Sequence, residues 1–356
     1  MFFFTCLSAR DVPGDLHSTP NISNPNGYAS GNLETGLPSS RKYASFRRFS
    51  LHKPPSSREI NKANNLSQKI EPEQISLLIG KDWHLHYVTP LYKFSHSAIR
   101  SYSRQLSAFI AAEKQKGVPF DMGSDNIFRV NFSIILGIAE KEGDSEAVFI
   151  QIYTKQFFAI QGTTENVIWS GWLACVNCNT EYISSLPPRF TYFPLFCSNG
   201  PETMTAIVRT WFQKTFDCNF GNLSINYSNL SWLAAIWTDC KQTVDFKYLK
   251  LSWTLPLRPP LDVTYTINSE DGWELWNSIH KENDQITLEE MGQFMYVLES
   301  HFFRHFKVHL TFGELIEVST SLGVVQKNGR IKFLSGERMT AILTLLTENA
   351  VLMMPV

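Results

Sequence analysis

Two cysteines in a CxxC spacing are the first residues of this 356-residue sequence whose types could do chemistry. Cys175 and Cys178 could form a redox pair or half of a zinc site, because thiolates bind zinc and exchange disulfides. They follow a strand-like run and do not lie at the start of a helix, where a redox CxxC is expected. Neither a second CxxC nor a close histidine pair supplies the missing zinc ligands. We therefore predict two packed thiols, with no metal and no other cofactor.

Three histidines recur every four residues, at His301, His305 and His309. On one uninterrupted helix they would share a face and could ligate a metal ion. The apolar pattern changes to period two from His305 onward, which predicts that the helix ends near Phe303 and that a strand follows. We interpret the three residues as surface histidines at a helix-to-strand corner.

Sequence motifs of enzymes are absent. The chain contains no Walker phosphate loop, dinucleotide-binding glycine motif, nucleophile elbow or zinc-protease spacing. The adjacent carboxylates Glu289 and Glu290 fall at a predicted helix start, where they favour the helix dipole and need no catalytic role. We predict that the protein is not an enzyme. An enzyme whose catalytic residues are scattered along the chain stays open as an alternative.

Charge is distributed unevenly along the chain. Residues 1–70 contain nine Lys and Arg against four Asp and Glu, a balance of +5, which leaves 23 basic and 29 acidic residues, or −6, for the remainder. The first 70 residues are also rich in Ser, Asn, Pro and Gly, which predicts a disordered basic tail. Within it, Ser50 follows Arg48 by two residues, the spacing of a basophilic kinase site, and is a candidate for phosphorylation.

The cellular compartment is indicated by cysteine usage and apolar runs. Six cysteines are too few and too scattered for a disulfide scaffold in a chain of this length, which indicates a reducing compartment. The N-terminal MFFFTCLSAR has no basic residue ahead of its short apolar run. No later run approaches the ~20 apolar residues of a membrane span. We predict no secretion and no membrane partner.

Helix and strand patterns predict an α+β fold of mostly antiparallel sheet with packed helices, divided into two domains after the tail. In the N-terminal domain, residues 71–243, we predict helices at 72–80, 95–117, 201–216 and 230–240 and a meander of strands at 127–138, 147–153 and 167–176. In the C-terminal domain, residues 244–356, we predict strands at 246–255, 261–267, 308–312, 315–320, 324–326 and 330–334 and helices at 271–280, 288–303 and 339–352.

Two surfaces are candidates for binding. The hairpin centred on Asn328 and Gly329 alternates weakly, so we predict an edge that a partner strand could extend. Its candidate interface residues are Val324, Val325, Arg330, Ile331, Lys332 and Phe333. The helix at 95–117 has a basic face, and Lys93, Arg100 and Arg104 are candidate DNA-facing residues.

Six long blocks carry a resemblance to a known family. They are TPLYKFSHSAIRSYSRQLSAFIAAEKQKG (89–117), WSGWLACV (169–176), TAIVRTWFQKTFDC (205–218), NLSWLAAIWTDC (229–240), SHFFRHFKVHL (300–310) and VSTS (318–321). In this order they resemble the vertebrate centromere protein L family, subunits of the constitutive inner kinetochore. The resemblance covers residue 71 to the end and does not include the first 70 residues.

The resemblance implies a non-enzymatic structural subunit of the constitutive centromere-associated network, located in the nucleus at the centromere and kinetochore. Proteins similar to this one form a heterodimer with centromere protein N through their C-terminal regions. The pair joins other subunits of the network around the nucleosome that bears the centromeric histone H3 variant, which the partner mainly reads. The alternative is a self-contained nucleic-acid-binding nuclear protein that uses the basic tail and exposed aromatic residues.

Overall fold

One large antiparallel sheet forms the centre of the fold. It is seen in a computed structural model that describes residues 8–9, 56–59, 70–116, 127–141, 143–158, 162–179, 183, 187–240, 247–281 and 285–355. Twelve strands of this described part belong to the sheet, and all their ladders are antiparallel. The α+β prediction with mostly antiparallel sheet is therefore confirmed.

The strands, in chain order, are β1 (Ser8–Ala9), β2 (Ser57–Glu59), β3 (Asp82–Val88), β4 (Leu91–Tyr92), β5 (Ile127–Ile135), β6 (Ala147–Phe158), β7 (Gly162–Ala174), β8 (Phe190–Thr191), β9 (Leu195–Asn199), β10 (Phe220–Asn222), β11 (Tyr248–Leu255), β12 (Leu261–Asn268), β13 (Gln285–Thr287), β14 (Glu314–Thr320), β15 (Gly323–Gln326) and β16 (Arg330–Phe333). The spatial order of the large sheet is β1-β12-β11-β14-β15-β16-β3-β9-β7-β6-β5, and β10 also pairs with β3. Two short ribbons, β2 with β13 and β4 with β8, lie outside it.

The described residues also form seven α-helices. They are α1 (Pro72–Ser76), α2 (Ile99–Gln115), α3 (Glu202–Phe216), α4 (Tyr227–Thr238), α5 (Ser269–Ile279), α6 (Leu288–Phe306) and α7 (Met339–Met353). A capping box begins α6, because Thr287 Oγ1 accepts from the Glu290 N–H and the Glu290 carboxylate accepts from the Thr287 N–H. These helices match the sequence pattern to within a few residues at each end.

Strands β6, β7 and β9 are buried on both faces of the sheet over part of their length. Successive residues of a strand point to opposite faces, so β6 contributes to two cores. Phe149 lies in the core that also contains residues of α4, α6 and α7, whereas Val148 and Ile150 lie in a second core with residues of α2 and α3. Burial on both faces explains why these strands read as nearly continuous apolar runs in the sequence.

The C-terminal part of the sheet is buried on one face. In β11, Leu249, Leu251 and Trp253 lie in the core, and the residues between them face the other side. On that side Lys250 Nζ lies 3.6 Å from Glu317 Oε1 of β14, and both side chains are partly exposed. A polar sheet face is therefore left without a covering helix among the described residues.

Strand β3 joins the two predicted domains into one sheet. One of its edges pairs with β9, and the other pairs first with β16 and then with β10. Trp83 of β3 is fully buried, its Nε1–H donates to the Leu78 carbonyl at 2.8 Å, and its ring meets Trp172 edge-on at a centroid distance of 6.0 Å. The sheet and its larger core thus cross the predicted domain boundary, and the division at residues 243 and 244 stays a prediction.

Two local predictions were wrong. The predicted strand 308–312 is absent, because α6 continues to Phe306 and Leu310–Phe312 forms a 3₁₀ turn. Phe302 and Phe306 are one helical turn apart with ring centroids 4.6 Å apart, so aromatic contacts favour the helix over the alternating pattern. Residues 57–59, which fall inside the predicted disordered tail, form strand β2 and pair with β13.

Candidate protein-interaction site at the sheet edge

The predicted hairpin forms as expected, but it is not an open edge. β15 and β16 pair through Val325 and Ile331, and Gly329 adopts the left-handed conformation that the turn requires, with φ of 80°. The other side of β16 pairs with β3, where Ile331 lies opposite Trp83. The prediction of a free edge at β16 was therefore wrong, because a strand more than 200 residues away in the sequence occupies it.

The candidate interface residues of the hairpin divide by burial. Val325, Ile331 and Phe333 are in the core, Val324 and Lys332 are half-buried, and Arg330 is exposed. The Lys332 ammonium lies 3.7 Å from the Asp82 carboxylate. The role of the six residues in a partner interface stays a prediction. Only Val324, Arg330 and Lys332 have side chains that reach the surface.

The sheet edge in the N-terminal half is sealed by a helix. Two serines of α2, one turn apart, bond to the outer edge of β5. Ser107 Oγ donates to the Phe128 carbonyl at 3.0 Å, and Ser103 Oγ accepts from the Phe132 N–H at 3.1 Å. Because these side chains replace the bonds that another strand would make, β5 is a poor site for strand addition.

Among the described residues, the opposite edge of the sheet is open along most of β12. Its inner side pairs with β11 along all eight residues. On its outer side β1 pairs only with Leu261 and Asp262, and no described strand pairs with residues 263–268. Unpaired backbone N–H and C=O groups on such an edge form hydrogen bonds readily with an added strand.

Exposed aromatic rings lie at the end of α6, a helix that contacts β12 through Phe302 and Tyr265. Tyr265 of β12 contacts Phe302 at a ring distance of 5.4 Å, and Phe302 contacts Phe306, which is 40% exposed. Beyond the end of α6, His309 stacks on Phe303 at 3.8 Å and meets Phe312, which is 75% exposed. We call Phe303, Phe306, His309 and Phe312 the aromatic cluster. Together with β12 it combines an open backbone edge with apolar side chains, as protein interfaces do.

His301 and His305 lie on α6, whereas His309 follows the helix. The His301 and His305 rings lie 4.5 Å apart on the helix, which extends one turn further than predicted. The Tyr265 hydroxyl hydrogen-bonds His301 Nδ1 at 2.8 Å, and burial lowers the pKa of His301. His309 has left the helix. Among the residues that the structure describes, no group of three or more His, Cys, Asp or Glu side chains could hold a metal ion.

The CxxC pair is buried in a loop organised by Asp144. The Asp144 carboxylate accepts from the N–H groups of Asn177 at 2.9 Å and Cys178 at 3.2 Å, and from the Cys175 thiol at 3.5 Å. A hydrogen bond with Cys178 and burial raise the pKa of Cys175. A raised pKa disfavours the thiolate, the form that attacks disulfides or binds zinc. The geometry therefore favours packed thiols.

The candidate DNA-facing residues all lie at the surface. Lys93, Arg100 and Arg104 are exposed, the last two on the outer face of α2. The ribbon of β4 and β8 adds a further cation, because the Lys93 N–H donates to the Arg189 carbonyl at 2.7 Å. Hydrogen bonds from the Arg189 and Lys93 side chains both lower the pKa of Tyr92. Arg189 was missed from the sequence, and Ser50 lies outside the described residues.

None of the described helices is both long and apolar enough to span a bilayer.

Comparison with known proteins identifies the chain. A family model described as Centromere protein L matches residues 77–351. Centromere protein L of Danio rerio is 50% identical over 306 residues, which cover 85% of this chain and 83% of the relative. That of Homo sapiens is 41% identical over 338 residues, covering 94% and 96%, and that of Gallus gallus is 39% identical over 345 residues, covering 97% and 96%.

These matches define the class of the chain, which is a centromere protein associated with the chromosome. The chain belongs to the centromere protein L family. The resemblance that the six sequence blocks carry is thereby confirmed.

Proposed function

We propose that this centromere protein is a non-enzymatic structural subunit of the constitutive centromere-associated network in the nucleus, and that it heterodimerises with centromere protein N. The pair joins other subunits of the network at the kinetochore and reaches the centromeric nucleosome mainly through the partner. In this role it supports kinetochore assembly, mitotic progression and chromosome segregation. Membership of the centromere protein L family supports the proposal, since the family resemblance implies each of these roles.

The open edge of β12 is the observation that carries the heterodimer proposal. The family resemblance points to the C-terminal region, and β12 is the sheet edge in that region that no described strand covers between residues 263 and 268. An added strand would gain main-chain hydrogen bonds, and the aromatic cluster would supply apolar contact area next to it. We therefore place the partner on β12 and no longer on β16.

Lysines on the β12 edge are expected to weaken the heterodimer by about tenfold or more. Charged side chains, and lysine above all, disfavour strand addition at an edge, and Thr264 and Thr266 are half-buried on its polar face. We would co-express Thr264→Lys/Thr266→Lys chain with centromere protein N and measure the complex by size-exclusion chromatography and its Kd by calorimetry. In the native pair, the amides of residues 263–268 should also exchange more slowly than in the free chain.

The matched control is Arg330→Glu/Lys332→Glu on β16, which changes two charges at the hairpin that the sequence analysis favoured. These side chains reach the surface, so the control tests the hairpin without opening the core. Loss of the complex in the hairpin variant alone would move the interface to β16. If the intact chain forms no complex with centromere protein N, the heterodimer proposal itself is wrong.

We also propose that Lys93, Arg100 and Arg104, with Arg189 beside Lys93, form an auxiliary patch that faces DNA phosphates in the assembled pair. Changing the first three to Gln should reduce the slope of log K against log salt by up to about three, since each phosphate contact contributes about 0.9. Lys250→Gln on the polar sheet face is the control and should leave the slope unchanged. An unaltered slope in the triple variant would remove the patch, and equally strong DNA binding by the isolated chain would favour the self-contained alternative.

A further inference from the structure

A short piece of the basic N-terminal region is docked on the C-terminal half. β2 pairs with β13, so that Ser57 lies opposite Thr287 and Arg58 lies opposite Ile286. The Leu288 N–H, at the start of α6, donates to the Ser56 carbonyl at 2.9 Å. Residues 56–59 precede the N-terminal half in the sequence, yet they contact a strand and a helix start of the C-terminal half. We call residues 56–59 the latch.

Arg58 anchors the latch. Its guanidinium Nη1 lies 2.7 Å from Glu348 Oε2 of α7, and its Cζ lies 5.0 Å from the centroid of the Trp232 ring of α4. Only 11% of the Arg58 side chain is exposed. A planar guanidinium suits both contacts, because it forms directed bonds to a carboxylate and stacks on an aromatic face. One side chain therefore ties the latch to two helices.

The ion pair of the anchor is opposed by its own burial. Burial lowers the pKa of Arg58, whereas the neighbouring Glu348 carboxylate raises it. The desolvation of a buried ion pair offsets much of its attraction. The remaining stabilisation comes from a strand of three residues. A modest change in charge beside the latch would open it.

Ser57 is the residue at which such a change would act. Neighbouring strand residues point to opposite faces, so Ser57 faces away from the Arg58 anchor and lies beside Thr287. Thr287 caps α6 together with Glu290, whose carboxylate accepts from the N–H groups of Thr287 and Lys281. The Leu288 N–H is already bonded to Ser56. The Ser57 side chain is half-buried in the β2–β13 ladder, so a phosphate there would have to lose part of its hydration for the latch to close, and this cost opposes the attraction of the helix dipole.

We propose that the latch is a phosphorylation-controlled contact, which a serine kinase opens by modifying Ser57. The kinase transfers the γ-phosphoryl group of ATP: an O–P bond forms to Ser57 Oγ, the γ-phosphoanhydride bond breaks, ADP leaves, and the hydroxyl proton passes to the base of the kinase. Ser57 is half-buried in the closed latch, so the open form is the substrate. The added charge of about −2 then prevents closure. This inference is independent of the proposed heterodimer.

Hydrogen exchange of the Leu288 amide tests the proposal in the full chain. Ser57→Glu and Arg58→Ala should each accelerate its exchange by about tenfold or more, because both remove the bond to Ser56. The Glu290 amide, which bonds to Thr287 Oγ1 within the capping box, should keep its protection and shows that α6 is intact. Ser50→Glu adds the same charge at the tail serine and is the matched control, with exchange at Leu288 unchanged.

A peptide of residues 53–62 provides the second arm. Added in excess to the Arg58→Ala chain, the unmodified peptide should restore protection at Leu288, whereas the same peptide phosphorylated at Ser57 should not. Equal rescue by both peptides, or native exchange in Ser57→Glu, would show that phosphorylation does not control the latch. Native exchange in Arg58→Ala would show that Arg58 is not its anchor.

Discussion

Trp83→Ala is expected to lower the free energy of unfolding by about 3–5 kcal/mol, the range for truncating a buried aromatic residue. The side chain is fully buried in the core that both halves share, and the change also leaves the Leu78 carbonyl without the indole donor. β3, which carries Trp83, pairs with strands of both halves. The loss should therefore destabilise both halves together. Urea denaturation measures it as a lower midpoint.

Trp83→Phe is the matched variant, since it keeps an aromatic ring and loses the hydrogen bond. It should cost less than Trp83→Ala. Hydrogen exchange of amides in β6 and in β11 then reports the two halves separately. If β11 keeps its native protection while β6 loses protection in Trp83→Ala, the two halves are independent units, and the role of β3 as their joint is wrong.

The elements that the sequence predicted well are those that local residues determine. The apolar spacing of Tyr102, Leu106 and Ile110 gave α2, and the same three residues are buried. Thr287 and Glu290 gave the start of α6, because a capping box satisfies its own backbone groups. In both cases the stabilising contacts lie within one or two helical turns, where a sequence pattern can show them.

The open edge of the sheet could not be found in the same way. β15 and β16 form the predicted hairpin, but only the whole topology shows that β3 covers β16 and that the described strands cover the outer side of β12 only at Leu261 and Asp262. The two serines that seal β5, Ser103 and Ser107, are ordinary polar residues in the pattern of α2. An edge strand is one that has no neighbouring strand on one side. Which strands become neighbours depends on pairing between segments that are far apart in the sequence.

The sequence analysis missed the latch, and it predicted the basic surface without Arg189. The reasons are related. A tail with few apolar residues reads as disordered, and the single anchor Arg58 is one of nine basic residues within residues 1–70. Arg189 joins Lys93 through a ribbon of two short strands, each of two residues. Such short strands carry too few residues for a periodic pattern to reveal them.

Phe312→Ser is expected to weaken the proposed heterodimer by at least about 2 kcal/mol, or roughly 30-fold in Kd, the loss that defines an interface hot spot. Phe312 is 75% exposed in the free chain and stands beside His309 in the aromatic cluster, so a partner would bury most of its ring. The same exposure means that the free chain gains little from this ring. Calorimetric titration with centromere protein N should therefore show the loss, while the urea midpoint of the isolated chain stays within experimental error.

Leu136→Ser is the matched control, because Leu136 is an apolar residue with 59% exposure that follows β5 at the opposite end of the sheet. Removal of an exposed apolar side chain there should leave the affinity unchanged. Equal Kd values for Phe312→Ser and Leu136→Ser would show that the aromatic cluster lies outside the interface, even if the lysine substitutions on β12 prevent assembly. The two sets of variants thus separate the main-chain contribution of the edge from the side-chain contribution of the rings, since a strand partner needs the first and a hot spot needs the second.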